Sequence, residues 1–183
     1  MKKLKYIAVF CSANDLAEKY NRPARELARK MINHGYHLVW GASDKGLMKV
    51  VADEIQIGGG KLVGVTTKHF FDVARKTAHK IILTPSLSRR KAVMLFRCDA
   101  VVALVGGTGT LDELTDIIEL KKIGDHTKPV VVLNTENFYE GLKVQLQKMK
   151  DDGFIKKSLD ELVYFADKPN EAIEYINKSL KAK

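Results

Sequence analysis

Seven short apolar runs recur along the chain, at residues 6–11, 37–40, 62–65, 81–84, 100–104, 130–133 and 162–165. Between them apolar residues return every three or four positions, the period of a helix with one buried face. These stretches predict helices over 17–34, 46–57, 69–77, 87–97, 109–123, 138–150 and 169–181. Runs that are apolar at every position predict strands covered on both faces, which means a parallel sheet between layers of helix. The expected fold class is α/β: a doubly wound, mostly parallel sheet of about seven strands with helices on both faces. Punctuation agrees. Gly35 closes the first helix and Gly58-Gly-Gly60 the second. Pro129 opens a strand, where its missing N–H is tolerated, and Pro169 opens the last helix.

In such sheets ligands bind beyond the C-terminal ends of the strands. That edge carries residues 12–14 (Ser12 among them), 41–45, 66–67, 84–86 and 106–110. The last segment is the most informative. Val105-Gly-Gly-Thr-Gly-Thr-Leu-Asp-Glu113 joins a strand to a helix. Glycines let the backbone approach a ligand closely, and the free N–H groups of a helix start attract anions. The expected ligand is a phosphate held by Gly106, Gly107, Thr108, Gly109 and Thr110. Glu113 lies about one helical turn further on, placed to act on whatever the phosphate is attached to. Asp112 occupies the third glycine position of a dinucleotide fingerprint, and no Gly-Lys-Ser/Thr follows, so neither standard nucleotide loop applies. A purely structural alternative is a tight turn capped by Thr108 or Thr110, with Asp112 and Glu113 suiting the helix dipole.

A second constellation precedes the strand at 100–104: Ser88-Arg-Arg-Lys-Ala-Val-Met-Leu-Phe-Arg-Cys-Asp99. As a helix it sets Arg90, Met94 and Arg97 along one side. Arg90 and Lys91 suit a phosphate or carboxylate, and Arg97 either does the same or caps a helix end. The alternative is a basic helix with solvated charges. Its apolar face serves the core or a dimer interface.

With 183 residues, 45% hydrophobic and 29% charged, the chain reads as one soluble domain over 1–183. Its net charge of +9 is spread among Lys2, Lys3, Lys5, Arg22, Arg25, Arg29 and many later positions, without a base-stacking aromatic stripe. Nucleic acid is therefore not an expected partner. Cys11 and Cys98 read as buried free thiols of a reducing compartment. His34, His37, His69, His79 and His126 show no metal-ligand spacing. No run has signal-peptide or membrane-spanning character, so a cytoplasmic location without membrane attachment is expected.

Taken together, Arg90-Lys-x-x-Met94, Asp99-Ala100 and Gly106-Gly-x-Gly-Thr110-x-x-Glu113 resemble the Lonely-Guy family. Its members are cytokinin-activating phosphoribohydrolases, often labelled lysine decarboxylases. The 23 positions between Arg90 and Glu113 match as well. Phe10-Cys11-Ser12, Gly46-Leu-Met48 and Gly59-Gly-Lys-Leu-Val-Gly-Val65 extend the similarity more weakly. The resemblance implies a Rossmann-like fold, a homodimer or higher homo-oligomer with sites near the interface, and no cofactor. It implies hydrolysis of the N-glycosidic bond of a nucleoside 5′-monophosphate to free base and ribose 5-phosphate. Arg90 and Glu113 would be the catalytic pair, 106–110 would hold the phosphate, and Lys91 would help bind substrate. Physically, a carboxylate suits the positive charge that builds on the sugar and can orient the attacking water, and Arg90 is placed either to align the ribose or to hold Glu113 ionised by lowering its pKa. The sequence departs from the family at Val105, where the family has proline. It departs also at Trp40-Gly-Ala-Ser-Asp44, Cys11-Ser-Ala-Asn14 and Glu119-Leu-Lys-Lys-Ile-Gly124. These changes leave the base open between a cytokinin nucleotide, AMP and other monophosphates. The rival reading is a non-catalytic carrier or sensor of a nucleotide or molybdenum cofactor on the same fold.

Overall fold

The first strand shows why the apolar runs are unbroken. In β1 (Lys5–Phe10), Ile7 and Val9 enter one apolar cluster while Ala8 and Phe10 enter another, and all four are fully buried. Successive side chains of a strand point to opposite faces, so a sheet covered on both sides leaves no position for a polar residue. The computed structural model describes residues 5–182, and Lys2, Lys3 and Lys183 lie outside them.

The other strands are β2 (Tyr36–Trp40), β3 (Leu62–Thr67), β4 (Lys80–Thr84), β5 (Ala100–Ala103), β6 (Val130–Leu133) and β7 (Tyr164–Ala166). They form one seven-stranded sheet in the order β4-β3-β2-β1-β5-β6-β7. Every pairing is parallel, and Phe10 of β1 lies in register with Ala103 of β5. The fold is α/β and doubly wound, as the runs predict. The helices are α1 (Glu18–Asn33), α2 (Gly46–Ile57), α3 (Leu87–Arg97), α4 (Thr108–Ile123), α5 (Glu140–Asp151), α6 (Leu159–Leu162) and α7 (Pro169–Lys181). Helices α1, α2 and α7 cover one face, where Leu27, Met31, Ile55 and Ile173 pack on Leu38 and Trp40. Helices α3 and α4 cover the other, with Met94, Leu114 and Ile117 against Phe10 and Val39. Each such side chain contributes roughly 1.5–3 kcal/mol of burial.

The chain leaves β1 toward β2, β3 and β4, then returns to place β5 on the other side of β1. The direction of winding changes between these two strands. Loops leaving their C-terminal ends diverge and open a crevice there.

Two expectations need correction. The helix expected over 69–77 is a 3-10 turn, Lys68–Val73. Ala74 is extended and bridges Ser43 in antiparallel fashion, and the Arg75 N–H donates to Ala42 O at 2.8 Å, which draws the chain out of helical geometry. The strand expected over 162–165 begins two residues later. Its place is taken first by α6, opened by a capping box between Ser158 and Glu161. Both cysteines are free and buried. No helix of the described residues is long and apolar enough to cross a membrane.

Candidate active site

The crevice between β1 and β5 holds a cavity of about 310 Å³. One wall is the start of α4. Gly107 is its N-cap, in extended backbone (φ −86°, ψ −159°), and no side chain caps the helix. This disposes of Thr108 or Thr110 as the cap. Among the described residues, nothing accepts from the N–H groups of Thr108, Gly109 or Thr110. Unpaired donors at a helix start carry roughly half a positive charge and suit an anion. A Cβ on Gly107 or Gly109 would meet open space, so these glycines face the cavity, whereas Gly106 does not. Its own Cβ would lie 2.1 Å from Thr110 Oγ1, so Gly106 lets the turn close tightly on α4.

Arg90 and Glu113 meet in the wall of this cavity. Arg90 Nη1 donates to Glu113 Oε1 at 3.0 Å, and Arg90 Nε donates to Val65 O at 2.9 Å. Both side chains are about nine-tenths buried. Gly41 makes room for the guanidinium, because a Cβ there would lie 2.0 Å from Arg90 Nη2. The shortened glycine stretch after β2 has therefore kept the one glycine that Arg90 requires. Lys91, one residue on, pairs with Asp112 at 2.9 Å and Asp116 at 3.6 Å. Burial works against its charge, but the hydrogen bond to Asp112 and the two carboxylates outweigh that and leave its pKa raised.

Burial outweighs the downward pull on the Glu113 pKa that the sequence suggests for Arg90. It pushes the Glu113 carboxyl up to about 7, and the charge of Asp112 adds to this. Arg90 and Lys91 pull the other way and lose. Near neutral pH the group stands between its acid and base forms, which suits a residue that must accept and return a proton. The same environment acts on its neighbours. Burial, followed by the charge of Glu113, pushes the Cys11 thiol up, so it is not a nucleophile here. Tyr139 is pushed up by burial and then by Cys11 and Glu113, and its hydroxyl donates to Leu104 O at 2.7 Å, holding the end of β5.

Ser12 lies in the cavity wall, and its Oγ accepts from the Asn14 N–H at 3.0 Å. Met94 and Arg97 are not in the cavity. Met94 is fully buried in the core beneath α3. Arg97 lines a separate cleft at the opposite end of α3. Six cavity residues fell outside the sequence-based site: Cys11, Ala13, Asn14, Met48, Phe70 and Leu87. Phe70 comes from the 3-10 turn after β3 and stands 42% exposed beside Met48 and Leu87, making an apolar end to the cavity. Its one signal in the sequence is an aromatic residue just past a strand's C-terminal end. Among the described residues no group of His, Cys, Asp and Glu is arranged to hold a metal ion.

Comparison with known proteins gives a consistent answer. Residues 48–176 match a family model described as possible lysine decarboxylase. A cytokinin riboside 5′-monophosphate phosphoribohydrolase of Arabidopsis thaliana is 33% identical over 175 residues, covering 94% of this chain and 77% of the relative. A probable enzyme of the same name from Oryza sativa subsp. japonica is 36% identical over 159 residues, 85% of this chain and 70% of the relative. Among solved structures, a Moco carrier protein from Chlamydomonas reinhardtii superimposes with a TM-score of 0.75 at 25% identity, covering 99% of this chain and 100% of the carrier. The chain belongs to the Lonely-Guy family, whose model bears the lysine decarboxylase description.

Proposed function

We propose that this protein hydrolyses the N-glycosidic bond of a nucleoside 5′-monophosphate, releasing free base and ribose 5-phosphate. The observation that carries this reading is the Arg90–Glu113 pair buried beside an uncapped helix start, in one cavity. The 5′-phosphate sits on the N–H groups of Thr108, Gly109 and Thr110 and anchors the substrate away from the reacting bond. The base lies against Met48, Phe70 and Leu87. The C1′–N bond breaks with its electron pair leaving on the base, and positive charge builds on the ribose. Glu113 faces that charge and takes a proton from the attacking water, whose oxygen joins C1′. The base gains a proton as it leaves. Arg90, locked by Val65 O, fixes the Glu113 carboxylate and orients the ribose. A buried ion pair is weak evidence for stability, so its retention here fits a catalytic use. The apolar end formed by Phe70 and Leu87 suits a purine and tolerates an N6 substituent.

The partner in solution is a second copy of this chain. Leu83 on the edge strand β4 and Leu87 at the start of α3 are half exposed, and Leu87 also lines the cavity. A partner covering them would wall off the base end and protect an open sheet edge. Light scattering should find a dimer that Leu83→Lys weakens, and a monomer at micromolar concentration would remove this part of the reading.

The test is a panel of purine, pyrimidine and N6-substituted nucleoside monophosphates, with free base measured by chromatography. Base release should fall roughly 10²-fold or more in Glu113→Gln. Nucleotide binding without release from any member of the panel would replace this reading with that of a carrier or sensor.

A further inference from the structure

A second cavity, of about 580 Å³, takes no part in the chemistry above. It lies at the N-terminal edge of the sheet, under the far end of α3. Its walls come from the starts of β1, β3 and β4, from the last turn of α3 and from Lys128. Four cationic side chains, Lys61, Lys80, Arg97 and Lys128, line it together with a single carboxylate, Asp99.

The five charges are not equivalent. Asp99 Oδ2 accepts from the Tyr6 N–H at 2.8 Å, which uses part of its negative charge on the backbone. Lys128 Nζ is held by the carbonyls of Leu95 and Cys98 at the C-terminal end of α3, so it offsets that helix end. Among the described residues, Lys61, Lys80 and Arg97 make no side-chain hydrogen bond or ion pair. His79 accepts the Leu62 N–H at Nδ1 (3.2 Å), which leaves its Nε2 as a donor. The cleft thus offers donors and positive charge almost alone. Its remaining walls are flat or apolar: the Tyr6 ring, Val63, and Phe96, which is 80% exposed although fully aromatic.

We propose that this cleft is a second ligand site, for a phosphorylated molecule that carries a planar ring, a nucleotide being the simplest of that class. The phosphates meet Lys61, Lys80 and Arg97, and the ring stacks on Phe96 or Tyr6. The volume lies within the range of about 300–1,000 Å³ usual for small-molecule sites. The site stands on its own residues and not on the hydrolase reading. It also gives a use to basic charge that the chemistry at the other edge of the sheet leaves unexplained.

The probe is ATP, titrated calorimetrically into the full chain carrying Gly107→Asp, in which a carboxylate occupies the start of α4. ATP should bind at a single site per chain, and raising the salt should weaken it. Lys61→Glu with Lys80→Glu should weaken it roughly tenfold or more, with base release by the same pair in the wild-type background unchanged. Phe96→Ala, a change at an exposed position, should weaken ATP more than tripolyphosphate. An ATP affinity that ignores both lysines overturns the proposal. So does tripolyphosphate binding as tightly as ATP, because the ring is then not read. An oligonucleotide that binds more tightly than ATP through the same lysines would make the cleft a nucleic-acid surface instead. A dimer abolished by the lysine reversal would make it an interface between copies, and would equally end the proposal.

Discussion

Two helices begin at the same edge of the sheet, in the wall of the same cavity, and put their first N–H groups to opposite uses. At the start of α2, Leu47 N–H donates to Asn14 O at 3.2 Å and Met48 N–H to Ser12 O at 3.1 Å. The loop after β1 is docked on that helix, and these two donors are consumed. At the start of α4, the N–H groups of Thr108, Gly109 and Thr110 find no acceptor among the described residues. Both starts use glycine, but for different ends. Gly46 has φ +55°, and a Cβ there would come within 2.3 Å of Asn14 O, so it permits close contact between two pieces of the protein. A Cβ on Gly107 or Gly109 would meet nothing, and both glycines line the cavity, so the backbone there stays open to a ligand. Gly46 is required by contact within the fold, whereas Gly107 and Gly109 leave the α4 start accessible.

That distinction is broken most directly by closing the open helix. Gly107→Asp supplies an N-cap carboxylate in backbone that any residue adopts. It should leave the melting temperature unchanged or slightly higher, while kcat/KM for base release falls roughly 10²–10³-fold. A variant with normal turnover would show that the free N–H groups do not hold substrate.

The second effect is in the pH profile. Glu113 acts in its ionised form, and burial sets its pKa at about 7. Turnover should therefore fall as pH drops below that value, approaching tenfold per pH unit and about 100-fold at pH 5. Stability runs in the other sense. The folded pKa lies above the ordinary 4.5, so this group's contribution is fully present below about pH 4.5 and lost as pH rises through about 7. Activity that is flat from pH 5 to 8 would remove Glu113 as the proton acceptor.

At the docked helix the readout changes from activity to stability. Gly46→Ala must hold a side chain at φ +55° against the Asn14 carbonyl, and should destabilise the fold by about 2 kcal/mol or more in urea unfolding. Base release per folded molecule should remain within a few-fold of normal. A large loss of activity with unchanged stability would make α2 part of the anion site.

How much of this could be read from the sequence depends on what each residue is buried against. The strands were legible because a sheet covered on both faces leaves runs such as 100–104 without a polar residue. The Arg90–Glu113 pair was legible as a spaced motif, and the structure brings the two side chains together at 3.0 Å. An offset of seven returns to the same side of a helix, so the pattern groups Arg97 with Arg90. That offset also moves about 10 Å along the axis, enough to carry Arg97 from one edge of the sheet toward the other. The sign of the Glu113 shift was not legible, since a neighbouring arginine is visible in a sequence and the depth of burial is not. Phe70 was hidden by the wrong element: its position depends on the bridge between Ser43 and Ala74, which brings together segments far apart in the chain. The start of α6, by contrast, is legible in Ser158-Leu-Asp-Glu161, a capping box that precedes the apolar run.

The smallest expected effect concerns the turn after β2, where the family's glycine stretch has become Gly41-Ala-Ser. Ala42 sits at φ +68°, a left-handed conformation that costs an alanine about 1–2 kcal/mol. It is fully buried, and its neighbour Gly64 leaves space for it, since a Cβ on Gly64 would lie 2.7 Å from Ala42 Cβ. Ala42→Gly would relieve the backbone. Against that, it would remove a buried methyl worth about 0.8 kcal/mol and loosen the unfolded chain by about 0.4–1 kcal/mol. The terms nearly cancel, so urea unfolding should move by no more than about 0.5 kcal/mol. Because Gly41, which admits Arg90, is untouched, base release should not change. Near-neutrality would mean that alanine replaced glycine at 42 at little cost, with the space given by Gly64 compensating. A gain well above 1 kcal/mol would mean instead that the turn stores strain beside Arg90, and the restraint on that guanidinium would have to be traced to Ala42 as well as to Gly41.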